Sequence, residues 1–80
     1  MVTSLKDLAV GERGRITALC CHGPIRRRLL DMGLIEGTLV ECLGRAPLGD
    51  PSAYLIRGAV IALRSEDSRY IKMEEAKEWE

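Results

Sequence analysis

The chain has 80 residues, and twelve lysines and arginines balance twelve aspartates and glutamates, so its formal net charge is zero. A domain of this size buries only about 60% of the surface its unfolded chain exposes, so these residues build one thin core and no second domain. Zero net charge and 4% aromatic content exclude a general nucleic-acid binder, which needs a cationic face for phosphates and rings for stacking.

Apolar residues make up 46% of the chain and phenylalanine is absent, so the core is expected to be aliphatic. No apolar run is long enough for a transmembrane helix. The opening Met-Val-Thr-Ser-Leu-Lys-Asp-Leu lacks the basic-then-apolar order of a secretory signal. Three cysteines, two of them adjacent, do not fit a disulfide framework. Together these features point to the reducing cytoplasm, without membrane insertion.

In chain order, Leu5, Leu8 and Val10 form a first apolar set, and Thr3 or Ser4 is placed to cap one helical turn. Gly11 and Gly14 bracket Glu12-Arg13 as a turn. Residues 15–21 alternate as a first strand, which would put Ile16, Ala18 and Cys20 on one face and Arg15, Thr17, Leu19 and Cys21 on the other.

Gly23-Pro24 opens a helix, since proline suits the first helical turn. Ile25, Leu29 and Met32 fall at i, i+4 and i+7, an apolar helical stripe. Gly33 is the left-handed stop, and a Schellman closure would join Leu34 to Leu29.

Glu36-Gly37 turns the chain into a strand over residues 38–43. Residues 44–51 hold two prolines, which remove ladder donors, and read as a loop. Residues 53–64 form a hairpin about Arg57-Gly58, with glycine supplying the positive φ. Ser65 looks like an N-cap, with Glu66 and Asp67 in the first turn. Tyr70, Ile71 and Met73 close a final strand, and residues 74–80 form a charged tail that frays unless Trp79 docks. The expected fold is mainly β: a small, partly closed barrel of about five strands, with one short helix after strand 1 and a one-turn helix before the last strand. Residues 1–73 make the domain.

The run from Arg27 to Gly37 (Arg-Arg-Leu-Leu-Asp-Met-Gly-Leu-Ile-Glu-Gly) resembles the signature of the FeoA family of ferrous iron transport proteins. So do residues 45–51, Ile56-Arg57-Gly58 and Ala62-Leu63-Arg64, and the likeness spans Leu5 to about Ile71 in order and spacing. Glu36 stands where the family commonly has proline. The resemblance implies an SH3-like barrel in the cytoplasm and an accessory role to FeoB, the membrane ferrous-iron transporter with a cytoplasmic GTP-hydrolysing domain. It also implies kinship with the SH3-like module of metal-dependent repressors.

Nothing in the chain reads as catalytic. There is one histidine, no glycine-rich phosphate loop and no nucleophile with a matched base. The expected role is a non-catalytic interaction module that binds the cytoplasmic part of the FeoB transporter. Its candidate partner-binding residues are Arg26, Arg27, Arg45, Pro47, Leu48, Gly49 and Asp50. Residues 26–28 spread over about 200° of helix, so they do not share one surface, and Arg28 lies nearer the apolar stripe, where an acidic partner or the core can hold it. Leu48 is an apolar side chain at a constrained loop tip, which loses little entropy on binding.

No cofactor is expected. The alternative is a metal-responsive regulatory domain that binds zinc or ferrous iron, or changes oligomeric state with it, through Cys21 and His22. Strand neighbours point to opposite faces, which works against Cys20 and Cys21 sharing one ion, and a structural zinc site wants four ligands. The competing reading makes Cys20 and Cys42 small buried residues and puts Cys21-His22 at the top of a strand. Weak self-association stays open.

Overall fold

A single extra residue reorganises the first strand. In the computed structural model, which describes residues 4–75, β1 runs Arg13–Leu19 and pairs antiparallel with β2 (Leu39–Arg45) on one side and β5 (Ile71–Glu75) on the other. Ile16 faces Met73 and Ala18 faces Lys72, so Thr17 has no opposite number: it is a β-bulge. A bulge breaks strict alternation and bends its strand. Ile16 is therefore buried, yet Ala18 and Cys20 are exposed, and Cys21 turns inward with 5% exposure. The face expected to carry Ala18 and Cys20 into the core is thus inverted beyond the bulge.

Gly14 lies inside β1 and is no part of a turn before it. A Cβ there would stand 2.9 Å from the Glu74 carbonyl oxygen and 3.1 Å from the Met73 side chain. Only glycine lets the two strands come this close.

Helix α1 runs Gly23–Asp31, with Pro24 in its first turn and no side-chain cap from His22. Leu29 is fully buried, and Ile25 and Met32 pack partly buried beside it, as the stripe predicts. Gly33 takes φ +93°, the Leu34 amide donates to the Leu29 carbonyl (3.1 Å) and the Gly33 amide to Leu30 (3.0 Å). Both Leu29 and Leu34 have no exposed surface. This is the expected Schellman closure, with both its hydrogen bonds and its apolar contact.

β2 starts one residue later than expected and runs two further, through Gly44 and Arg45. It too is bulged: Cys42 faces Tyr54 and Gly44 faces Ala53, leaving Leu43 over. β3 (Ser52–Ile56) and β4 (Ala59–Leu63) form the predicted hairpin. Arg57 as well as Gly58 has positive φ, 52° and 82°, the pattern of a type I′ turn whose twist matches that of its strands.

Helix α2, Ser65–Ser68, has Arg64 and not Ser65 at its N-cap position. The sheet order is β4-β3-β2-β1-β5, and Ser4 bridges β5 at Lys72. β5 takes in Glu74 and Glu75, the first residues of the run read as a tail; residues 76–80, with Trp79, lie outside the described residues.

At the other end of the chain, a 3-10 turn over Leu5–Asp7 places Leu5 and Leu8 at zero exposure, while Val10 is 56% exposed and does not join them. Ser4 stands before that turn, where its hydroxyl donates to the Asp7 carboxylate (3.0 Å); Thr3 lies outside the described residues. One core joins the sheet to α1 and to this turn, with Tyr54 its largest fully buried side chain. The fold is mainly β, one five-stranded antiparallel sheet with two short helices. Among the described residues no helix is long and apolar enough to cross a membrane.

Candidate functional site

The loop after β2 is held from three sides. The Ala46 amide donates to the Pro51 carbonyl (3.0 Å) and the Gly49 amide to Ala46 (2.8 Å), which closes the loop on itself across a cis Asp50–Pro51 bond. The Arg45 guanidinium donates to Ser52 Oγ (3.0 Å) and to the Leu8 carbonyl, tying the loop base to the N-terminal segment. Asp50 reaches the other way: its carboxylate accepts from the Ser65 amide (3.0 Å) and from Ser65 Oγ (3.1 Å). The first amides of a helix have no partner within it, so Asp50 caps α2 from outside.

Leu48 stands at the tip, 97% exposed, flanked by exposed Pro47 and Gly49. A short loop closed by its own hydrogen bonds thus displays one large aliphatic side chain to solvent, where burial by a partner would be favourable.

The arginines of α1 divide in their roles. Arg26 donates to the Leu19 carbonyl (3.1 Å) at the end of β1. Arg28 pairs with Asp67 (3.0 Å), the acidic partner expected for it. Arg27 is exposed, and its side chain makes no hydrogen bond or ion pair among the described residues.

Helix α2 links the two sets of candidates: its Ser65 binds the loop and its Asp67 binds α1. The sequence places Asp67 on this short helix, as observed, but puts Ser65 at the cap where the structure has Arg64, and it does not show the connection to the loop. As an N-cap, Ser65 would turn its hydroxyl to its own helix, whereas its amide and hydroxyl both turn to Asp50.

The cysteines are free thiols. Cys42 has no exposed surface, as read from the sequence; Cys20 is exposed and Cys21 is buried, opposite to that reading. Burial pushes the Cys42 thiol up from its ordinary value, against the opposing pull of the Arg45 cation and the Gly44 amide. His22 is exposed beside the inward Cys21. Among the described residues, no three histidine, cysteine or acidic side chains are grouped to hold a metal ion.

An open groove of about 450 Å³ lies on the outer face of the sheet, beside Leu39, Glu41, Leu55 and Arg57. The neighbouring Arg13 pairs with Glu41 across the strands (3.3 Å).

A small five-stranded antiparallel sheet accompanied by two short helices, with the candidate residues on a loop and on α1, defines an SH3-like domain. The FeoA domain model matches residues 3–75, and the chain belongs to the FeoA family. It is 34% identical over 70 residues to the Fe(2+) transport protein A/Fe(2+) transporter FeoB fusion protein of Porphyromonas gingivalis. That match takes in 88% of the chain but spans only 8% of the relative's length.

Among solved structures, iron(II) transport protein A from Clostridium thermocellum superposes with a TM-score of 0.87 at 33% identity, over 90% of this chain and 44% of that one. The Stenotrophomonas maltophilia FeoA, solved as a zinc complex and described as a procaryotic SH3 domain protein, gives 0.79 at 21% identity, covering 91% of each chain. At that identity the likeness concerns the fold alone. The family places the chain with proteins of ferrous iron transport.

Proposed function

We propose that this domain is a non-catalytic accessory of ferrous iron uptake that acts in the cytoplasm by binding the cytoplasmic part of a FeoB-type transporter. The observation that supports the pairing is the Porphyromonas gingivalis relative, whose name joins an Fe(2+) transport protein A and a FeoB transporter as one fusion protein. The docking surface is the loop of residues 45–51 together with the exposed face of α1. Leu48 supplies the apolar anchor and Arg27 a side-chain cation without a partner among the described residues. Arg45 and Asp50 hold the loop in shape, and Arg26 ties α1 to the end of β1. Such an arrangement binds with little ordering cost, because the loop is already closed.

The experiment compares Leu48→Asp and Arg27→Glu with the wild type in ferrous iron uptake by cells and in pull-down of the transporter's cytoplasmic domain. Both variants are expected to fold normally and to lose binding and uptake. Normal uptake and capture in both would overturn the surface.

A further inference from the structure

The two ends of the sheet are treated differently by the sequence. At one end, β5 carries Lys72 and Glu74, and its outer side is bridged by Ser4. Charged residues and covering segments are how proteins block unwanted pairing at a sheet edge. At the other end, β4 is Ala-Val-Ile-Ala-Leu, with no charge and no proline, and its register with β3 runs without a bulge. Val60 is 66% exposed, and Ala59 and Ala62 are exposed too.

The turn fixes which groups of β4 are free. A two-residue loop makes Ile56 and Ala59 the closing hydrogen-bonded pair, so Ile61 and Leu63 also exchange bonds with β3. The amides and carbonyls of Val60 and Ala62 then point away from the sheet. Among the described residues, no backbone hydrogen bond outside the hairpin ladder involves residues 59–63. The side chains of Val60 and Ala62 continue an outer apolar row with Leu55 and Ala53, their partners on β3.

We propose that the free edge of β4 takes up an extended acidic segment of another protein as a sixth strand. The charge at the edge selects the occupant. Arg57 and Arg64 stand at the two ends of β4, no acidic residue lies between them, and neither guanidinium makes a hydrogen bond or ion pair among the described residues. A second copy paired antiparallel about Ile61 would set Arg64 of each chain beside the Arg57-Gly58 turn of the other, which brings like charges together. A strand with apolar residues in its middle and carboxylates at its ends meets both requirements. Backbone bonds then give affinity, and the end charges give orientation and choice of partner. This surface is distinct from the Leu48 loop and goes beyond the reading above.

The test uses a fluorescein-labelled peptide of alternating valine and threonine with two glutamates at each end, followed by anisotropy at low salt and by amide chemical shifts of the labelled domain. Shifts are expected to concentrate on residues 59–64. Binding should weaken about tenfold when the peptide's glutamates become lysines, and similarly in Arg64→Glu. Ala62→Pro removes an outward donor while sparing the β3 ladder, so it should retain the wild-type shifts of Ile16 and Leu29 and lose at least tenfold in affinity. Leu48→Asp should bind the peptide like the wild type, which separates this surface from the loop.

The proposal is overturned by equal binding of the acidic and basic peptides, by full affinity in Ala62→Pro, by shifts centred on residues 46–51, or by no binding at millimolar peptide. A wild-type dimer by light scattering that Ala62→Pro converts to a monomer would assign the edge to a second copy and overturn it as well.

Discussion

Asp50 and Ser65 are joined by two hydrogen bonds, one from the Ser65 amide (3.0 Å) and one from its hydroxyl (3.1 Å), both to the Asp50 carboxylate. Fifteen residues of chain separate them, and they bring the candidate docking loop onto the start of α2. Two residues further along α2, Asp67 holds Arg28 of α1. The loop and α1 therefore share one support.

Asp50→Ala is expected to cost about 1 kcal/mol, the usual worth of a helix cap, as read by urea unfolding. Ser65→Ala keeps the amide bond and should cost less than Asp50→Ala. Hydrogen exchange at the Ser65 amide should speed up in Asp50→Ala and stay slow in Ser65→Ala. Unchanged exchange in Asp50→Ala would contradict the capping role.

Leu34→Ala empties part of a fully buried site at the helix closure and should cost about 2–5 kcal/mol. In so small a domain that is a large share of total stability, and partial unfolding at 25 °C is the expected result by circular dichroism. Gly14→Ala should also destabilise, because its new Cβ would meet the Glu74 carbonyl at 2.9 Å. Gly44→Ala, where nothing lies within 4 Å, is the matched control.

Alkaline pH should destabilise the fold. Burial raises both Cys42 and Tyr54 above their ordinary values of 9.0 and 10.0, each partly offset, Cys42 by Arg45 and Tyr54 by a hydrogen bond from Ser52. For a group whose folded pKa is raised, the stabilisation is complete below the unfolded pKa. It is lost as pH rises toward the folded one. Urea midpoints should hold steady up to about pH 8 and fall above pH 9. Cys42→Val should flatten the first part of that fall, and an unchanged profile in this variant would refute the assignment.

Thiol labelling reads the β1 bulge directly. Cys20 is exposed while Cys21 and Cys42 are buried, so one thiol should react with Ellman's reagent quickly in the native protein and two only on unfolding. Peptide mapping should find the fast label on Cys20. A fast label on Cys21 would mean that β1 keeps strict alternation to its end.

Leu48→Asp should leave stability within about 0.5 kcal/mol of the wild type, since the side chain is 97% exposed and surface changes rarely cost more. A large loss would show that Leu48 serves the fold.

Features that depend on neighbours along the chain are legible before any fold is known. The stripe of Ile25, Leu29 and Met32, the stop at Gly33 with its Leu34 contact, and the hairpin about Arg57-Gly58 each follow from spacing and local backbone preference. The run from Arg27 to Gly37 likewise carried the family resemblance. Features that depend on residues distant in sequence emerge only with the assembled sheet. Cys21 and not Cys20 is buried because β5 faces β1 with one residue fewer. Ser65 satisfies Asp50 because the loop after β2 meets the start of α2. The bare flank of β4 exists only because the strand order ends there. Periodicity records which side chains share a face, while register, edge position and long-range hydrogen bonds are set by which strand lies alongside.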